Sequence, residues 1–579
     1  MNKIFEMSNV GANYENTALE THLQYAERTQ SDIRFDQLPE KSPGGTLIAS
    51  YRDQQDRLHT IFSEPTHSLI IGATRCGKTT GVVLPNLFAI AMQKNPPSFL
   101  ATDPKGEITR ACFHACLSNG VMPIIFNLRD EKKSEAWNAL LQTYKWYQEA
   151  HDLLRQVEAY KEDDKYYAVF KGTVYTSEKE LHRQLEAERD ILLYTVYQAI
   201  DDICFKTIPI KSSDPYWDTS ARSALQAILY GMLEDSRPET VDNRTLITED
   251  TFSFRTAMDI FASFGAGSEN SSNSVDNGFF TSRPVESKAR QLAQNSILVE
   301  ARTTRACIKS CFEAGMSAKK EYVTKLLTSC NSIDLEMLAD ESTPVAIFVI
   351  YRDEVRTSYD TVRDFIVAVK DKLIEVADES QNQRLSRPFI FMLDEFGNLP
   401  TITDFDTAIS ACGGRNIWFQ IVLQSYAQLD NNYGKNAAQI IRDNLNLHMF
   451  LGTNNIATAS AFSAECGKRT IVSPRCIFAG DKETITAPYL EEVAVVPVSV
   501  LNTMDIGECY VTMLKGKSVI HSHLERSYLC KEFNLPKMNL KDYHPSINVF
   551  DKRYVYSPDE NETETNPGRR NKPNWSMFF

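Results

Sequence analysis

Residues 72–79 read GATRCGKT, a loop in which Gly72 and Gly77 stand five apart, followed by Lys78 and Thr79. In this pattern backbone N–H groups turn inward around phosphate oxygens, an approach that side chains at the glycine positions would obstruct. Lys78 would neutralise the β- and γ-phosphates, the Thr79 hydroxyl would hold Mg²⁺, and the following helix start adds a favourable dipole. The candidate nucleotide contacts are Gly72, Ala73, Thr74, Arg75, Cys76, Gly77, Lys78, Thr79 and Thr80. The competing reading is an ordinary strand–turn–helix junction.

A phosphate loop needs a second site to complete the magnesium shell and orient water. PFIFMLDEFGNLP supplies one, with apolar residues running into Asp394-Glu395. An acidic pair at the end of a buried strand is costly unless it meets a cation. Asp394 would support Mg²⁺ and Glu395 would polarise the attacking water. Taken alone, the same residues also fit a strand that simply exits into solvent. Gln424 ends the next apolar run, IVLQ, where a polar group can sense the γ-phosphate; a turn-forming glutamine is the plainer alternative. Arg415, in CGGRN, is a candidate arginine finger reaching a neighbouring subunit, set against an ordinary surface arginine.

These residues need a scaffold. HSLII, SFLATD and MPIIFNL alternate with helical patterns over Lys78–Met92 and Glu107–Leu117, which implies parallel strands buried on both faces. The alternation stops near Trp137. From there the helical period dominates, with Leu181, Leu185, Leu192, Val196 and Ile200 on one face. Asp214 and Pro215 open a further helix as N-cap and first residue, with a stripe through Trp217, Ala221, Leu225 and Leu229. GAGSENSSNSVDNG reads as a long polar loop. Strand–helix alternation resumes at PVAIFVI, and short strands are expected beyond Arg469.

The expected organisation is an α/β, RecA-like P-loop ATPase core with a mostly parallel sheet, interrupted by an all-α domain. Its boundaries are an irregular lead-in over 1–50, nucleotide-binding parts over 51–140 and 333–535, the helical domain over 141–332, and a tail over 536–579.

The 579 residues allow two or three such domains. With 42% hydrophobic and 24% charged residues the chain has the composition of a folded protein. A net charge of −14 argues against a generally basic surface but leaves room for a local basic channel. Twelve cysteines without a Cys-x-x-Cys pair do not make a disulfide scaffold. Cys112/Cys116 and Cys307/Cys311 read as buried reduced thiols, with a metal site near His114 as the alternative. No signal-peptide core and no apolar run of about 20 residues occurs.

In order, GATRCGKTTGVVLPNL, ATDPKGEI, EAWNAL, DPYWDTSAR, FMLDEFGNLP, IVLQSYAQLDNNYG and FLGTNN resemble the type IV coupling proteins of conjugation and type IV secretion. These are TraG/TraD-like hexameric ATPases related to FtsK-like DNA pumps. The resemblance spans Ser68 to Asn455. It implies ATP and Mg²⁺ at subunit interfaces, a homo-hexamer when active, and a channel for single-stranded DNA or a relaxase–DNA conjugate. It also implies relaxosome and secretion-channel partners, substrate recognition by the helical insertion, and an arginine from the neighbouring subunit, for which Arg415 sits in the matching segment. A monomer in isolation also fits, since ring closure can need DNA or nucleotide.

Many members of that family begin with membrane-spanning helices, which this chain lacks. Either an anchor was trimmed or a separate membrane-anchor protein recruits a cytoplasmic protein to the inner face of the cell membrane; the start at Met1 favours the second. The leading expectation is an ATP-driven DNA translocase that recruits relaxase–DNA or effector substrates. The alternatives are an ATP-switched receptor of the same machinery and a DNA-packaging or segregation ATPase unrelated to secretion. The terminal GRRNK and WSMFF read either as a docking peptide or as a solvated end.

Overall fold

Runs such as Ser68–Ile71 and Phe389–Leu393 are buried along their whole length, the signature of strands covered on both faces. The computed structural model describes residues 18–549 except 163–164, 211, 239–244, 265–275, 277, 355, 480–481, 514–517, 534–535 and 548. The expected polar loop at 265–278 and the terminal peptide fall almost wholly outside the described residues.

The chain divides into two compact units. The first holds the described residues up to Lys133 together with Asp334–Pro545. Its central sheet, numbered in chain order, comprises β1 (Ala18–Thr21), β2 (Ser68–Ile71), β3 (Ser98–Asp103), β4 (Met122–Asn127) and β5 (Val345–Ile350). It continues with β6 (Phe389–Leu393), β7 (Ile417–Leu423), β8 (Leu447–Phe450), β9 (Glu508–Met513) and β10 (Ser518–His523). Across the sheet the order is β1-β10-β9-β8-β2-β7-β6-β3-β5-β4. From β8 to β4 every neighbouring pair is parallel. The pairs β8–β9 and β9–β10 are antiparallel, and β1 closes that edge parallel to β10. Helices Leu84–Ala91 and Glu107–Ser118 pack their apolar residues on one face, in a core with Ile70, Phe99, Phe348, Ile390 and Met449. The α/β class with a predominantly parallel sheet is therefore the observed one.

The lead-in is a correction. Residues 18–50 are not irregular: β1 joins the central sheet, His22–Thr29 is a helix, and Asp32–Arg34 pairs with Leu58–Phe62, which pairs with Leu47–Arg52. The expected boundary at 50 cuts that last strand. β1 is a four-residue edge strand with Leu19 exposed, so it carries almost no alternation for a sequence to display. Beyond Arg469 the strands are also longer than expected, since Lys468–Ala479 pairs with Lys482–Ala494 as a hairpin of 12 and 13 residues.

The second unit, Ser134–Ile333 with the described residues from Ser546, is mostly helical but not all-α. Glu158–Glu162, Lys165–Phe170 and Thr173–Tyr175 form an antiparallel sheet. Its second turn is Lys171-Gly172, both at positive φ (47° and 76°), the two-residue loop that suits the twist of a hairpin. Helix Glu178–Thr207 buries the expected face, but against two cores: Leu181 and Leu185 pack with Phe170, and Val196 and Ile200 with Leu225 and Ile228. Asp214 accepts a hydrogen bond from the Tyr216 amide at 3.0 Å, capping Pro215–Glu234 as its sequence implies. Among the described residues no helix is long and apolar enough to cross a membrane.

Candidate functional site

β2 delivers the chain to the carboxyl edge of the sheet, where Gly72 donates its amide to Leu423 O (3.0 Å) and Ala73 to Gly452 O (2.8 Å). These bonds set the loop between the ends of β7 and β8. A Cβ at Gly72 would stand 2.4 Å from Cys76 Sγ and 3.0 Å from Lys78 Cγ, so a side chain there would force Cys76 and Lys78 to shift. Gly77 sits at φ 96°, in the region glycine favours. Thr74 and Arg75 are exposed, whereas Lys78 is buried, its Nζ donating to Gly72 O (2.7 Å) and Ala73 O (3.0 Å). The ammonium thus lies folded over its own loop. The helix begins at Lys78 with a wide turn to Val83 before α-geometry starts at Leu84, a departure from the single helix expected over Lys78–Met92.

β7 lies between β2 and β6, so Gln424 leaves the sheet between the loop and the acidic pair. Thr79 Oγ1 stands 3.4 Å from Asp394 Oδ2. Asp394 is buried; its backbone oxygen accepts from Thr102 Oγ1 (2.9 Å) and its Oδ1 from the Glu395 amide (3.0 Å). Burial pushes its carboxyl up to about 7; Glu395 adds to the rise, and Lys78 and the Glu395 amide oppose it. Glu395 turns out of the strand at φ 53°, and its Oε2 accepts from Gln424 Nε2 at 3.0 Å. Gln424 Oε1 in turn accepts from Thr74 Oγ1 at 3.4 Å. A polar chain Thr74–Gln424–Glu395 therefore bridges the two halves of the site.

One member of the site was absent from the candidates. Leu393 pairs with Thr102, so Asp103 ends β3 beside Asp394. Asp103 is fully buried; its Oδ2 accepts from the Thr109 amide and hydroxyl, both at 2.7 Å, while Oδ1 has no hydrogen-bond partner among the described residues. Burial raises its carboxyl above the usual range. The signal was available in DPKGE, an acid ending a buried strand as Asp394 does.

Arg415 lies elsewhere. It precedes β7 at the amino edge of the sheet, about 20 Å along the strand from Gln424, and its Nε donates to Asp378 Oδ1 at 2.7 Å. The fold does not bring it to the loop of its own chain. Cys112 and Cys116 are buried on helix Glu107–Ser118, where burial raises both thiols, Cys116 to about 12. Cys307 is exposed and Cys311 half-buried.

The donors fit a magnesium nucleotide. A hydroxyl from Thr79 and a carboxylate from Asp394 are hard oxygen ligands of the kind Mg²⁺ takes with phosphate oxygens. The unpartnered Asp103 Oδ1 adds a buried acceptor beside them. A side chain at Gly72 would displace Lys78, the residue whose ammonium a phosphate loop needs in place.

The sequence matches the family described as type IV secretory system conjugative DNA transfer over residues 29–477. None of the curated proteins matches significantly. Among solved structures, the fold is similar to the bacterial conjugative coupling protein TrwBdeltaN70 in its unbound monoclinic form. There the identity is 15%, over 85% of this chain and 92% of that chain, with a TM-score of 0.53. The trigonal form of TrwBdeltaN70 in complex with sulphate gives 14% identity over 90% and 96% of the two chains, at 0.55. The plasmid coupling protein TrwB with the non-hydrolysable ATP analogue ADPNP gives 14% over 90% and 96%, at 0.53. Identities at this level establish a shared fold.

Proposed function

Since the chain belongs to the type IV secretory system conjugative DNA transfer family, we propose that it hydrolyses ATP to drive substrate DNA into a transfer channel. The observation that carries the reading is the approach of Thr79 to Asp394, with Glu395 and Gln424 alongside at one sheet edge.

In this reading Lys78 exchanges the carbonyls of Gly72 and Ala73 for β- and γ-phosphate oxygens. Thr79 and Asp394 would hold Mg²⁺, whose charge would offset that of the phosphate oxygens. Glu395 orients the attacking water and takes its proton. Gln424 holds Glu395 until the γ-phosphate offers a competing partner, so the presence of nucleotide is coupled to release of the base. The protein contributes position and electrostatics, with no covalent intermediate.

Family membership supports the rest of the proposal: a ring of six subunits around single-stranded DNA, each site completed by Arg415 of the next subunit. The helical unit would face relaxase or relaxosome proteins, and a membrane-anchor or channel protein would hold the ring at the inner face of the membrane. The test is phosphate release with and without single-stranded DNA, in wild type and Lys78→Ala. DNA-stimulated turnover lost in the variant is expected. No turnover by the folded wild type under any condition would reject the motor.

A further inference from the structure

Ile506, Tyr528 and Leu529 are 53%, 58% and 64% exposed, large apolar side chains on the rim of the phosphate loop. A Cβ at Gly77 would lie 3.5 Å from Ile506 Cγ2. The turn Ser527–Leu529 packs against the first helical turn, Lys78–Val83. The two segments are also tied to each other. Arg526 reaches Ile506 O (3.5 Å) through one terminal nitrogen and the Tyr528 hydroxyl through the other, its guanidinium 5.8 Å from the Tyr528 ring centre. Leu524 donates its amide to Gly507 O at 2.8 Å, fixing the start of β9 against the end of β10.

We propose that Ile506 and Tyr528 form the seat of the purine base of the nucleotide whose triphosphate occupies Gly72–Thr79. The proposal rests on the nucleotide reading above and adds a site to it. A base lies one ribose away from the phosphates, and this rim is where exposed apolar and aromatic surface adjoins the Gly77–Lys78 end of the loop. An aromatic face and a branched aliphatic chain offer stacking and dispersion to any base. Stacking and dispersion do not distinguish the two purines, since every base has a π-face. The seat therefore accepts ATP and GTP within a few-fold of each other.

The experiment measures binding of ATP, GTP and inorganic tripolyphosphate to wild type, Tyr528→Ala, Tyr528→Phe and Lys78→Ala. Stacking on one aromatic ring predicts that Tyr528→Ala weakens ATP and GTP about tenfold and leaves tripolyphosphate unchanged. Tyr528→Phe retains nucleotide affinity, and Lys78→Ala loses all three ligands. Unaltered ATP binding in Tyr528→Ala, or an equal loss of ATP and tripolyphosphate, overturns the base seat while leaving the phosphate loop in place. Failure of the wild type to bind any of the three overturns the nucleotide reading and the seat with it.

Discussion

The Gln424 side chain donates to Glu395 Oε2 at 3.0 Å and accepts from Thr74 at 3.4 Å, so one amide touches both the acidic pair and the phosphate loop. Its position follows from strand order. β7 is the spacer between β2 and β6, and the residue that ends it must face both neighbours. A glutamine can satisfy an acceptor and a donor at once, which makes it suited to report whether a γ-phosphate has arrived.

Replacing Glu395 by glutamine removes the proposed base but keeps a polar partner for Gln424. Binding of ATP with Mg²⁺ is expected to stay within about threefold, while turnover falls by a factor of about 10² or more. Equilibrium binding and single-turnover phosphate release separate the two. Equal loss of binding and turnover would mean that Glu395 holds the nucleotide rather than the water.

Arg415 is paired with Asp378 at the amino edge of its own sheet, away from the loop of its own chain. Arg415→Ala should therefore bind nucleotide normally but fail to hydrolyse it in assembled protein. Mixing Arg415→Ala with Glu395→Gln should restore part of the activity, because some interfaces then combine an intact Glu395 with an intact Arg415. Co-assembly without any recovery would remove Arg415 from the site.

His67 gives a stability test independent of nucleotide. Buried ahead of β2, its Nδ1 accepts from the Phe419 amide at 3.0 Å, so the ring is held neutral. Burial pushes its pKa down to about 4 from 6.5. The unfolded chain then binds the extra proton between those values, so stability is full above about pH 6.5, declines as pH falls, and levels off below about 4. The loss is on the order of 3 kcal/mol. Denaturant titrations at pH 7 and pH 4.5 should show this difference shrink in His67→Gln; an unchanged difference would assign the pH dependence to other groups.

The sequence spoke most clearly where strands are buried on both faces. Phe389–Leu393 and Val345–Ile350 are continuous apolar runs because helices cover them, and the acidic pair follows the first of them. It said little where burial is one-sided or slight. Ala18–Thr21 shows no pattern because it is an exposed edge, and the hairpin around Lys171-Gly172 is hidden among charged residues within a helical stretch. Asp103 was legible only as part of a motif, since its role depends on β3 lying next to β6, a lateral neighbour that chain order does not reveal. The approach of Ile506 to Gly77, and of the Ser527–Leu529 turn to Lys78–Val83, comes likewise from the return of β9 and β10 to the far side of β8.

The central claim concerns Lys78, Thr79, Asp394 and Glu395 acting on one magnesium triphosphate. Its most direct test is a structure of the protein with a non-hydrolysable ATP analogue and Mg²⁺. The expected result has the metal between Thr79 Oγ1 and the Asp394 carboxylate, Lys78 Nζ moved from its loop carbonyls to the β- and γ-phosphate oxygens, and Glu395 facing the γ-phosphate. A triphosphate seated away from Gly72–Thr79, or a metal with neither Thr79 nor Asp394 in reach, directly or through one water, would contradict it.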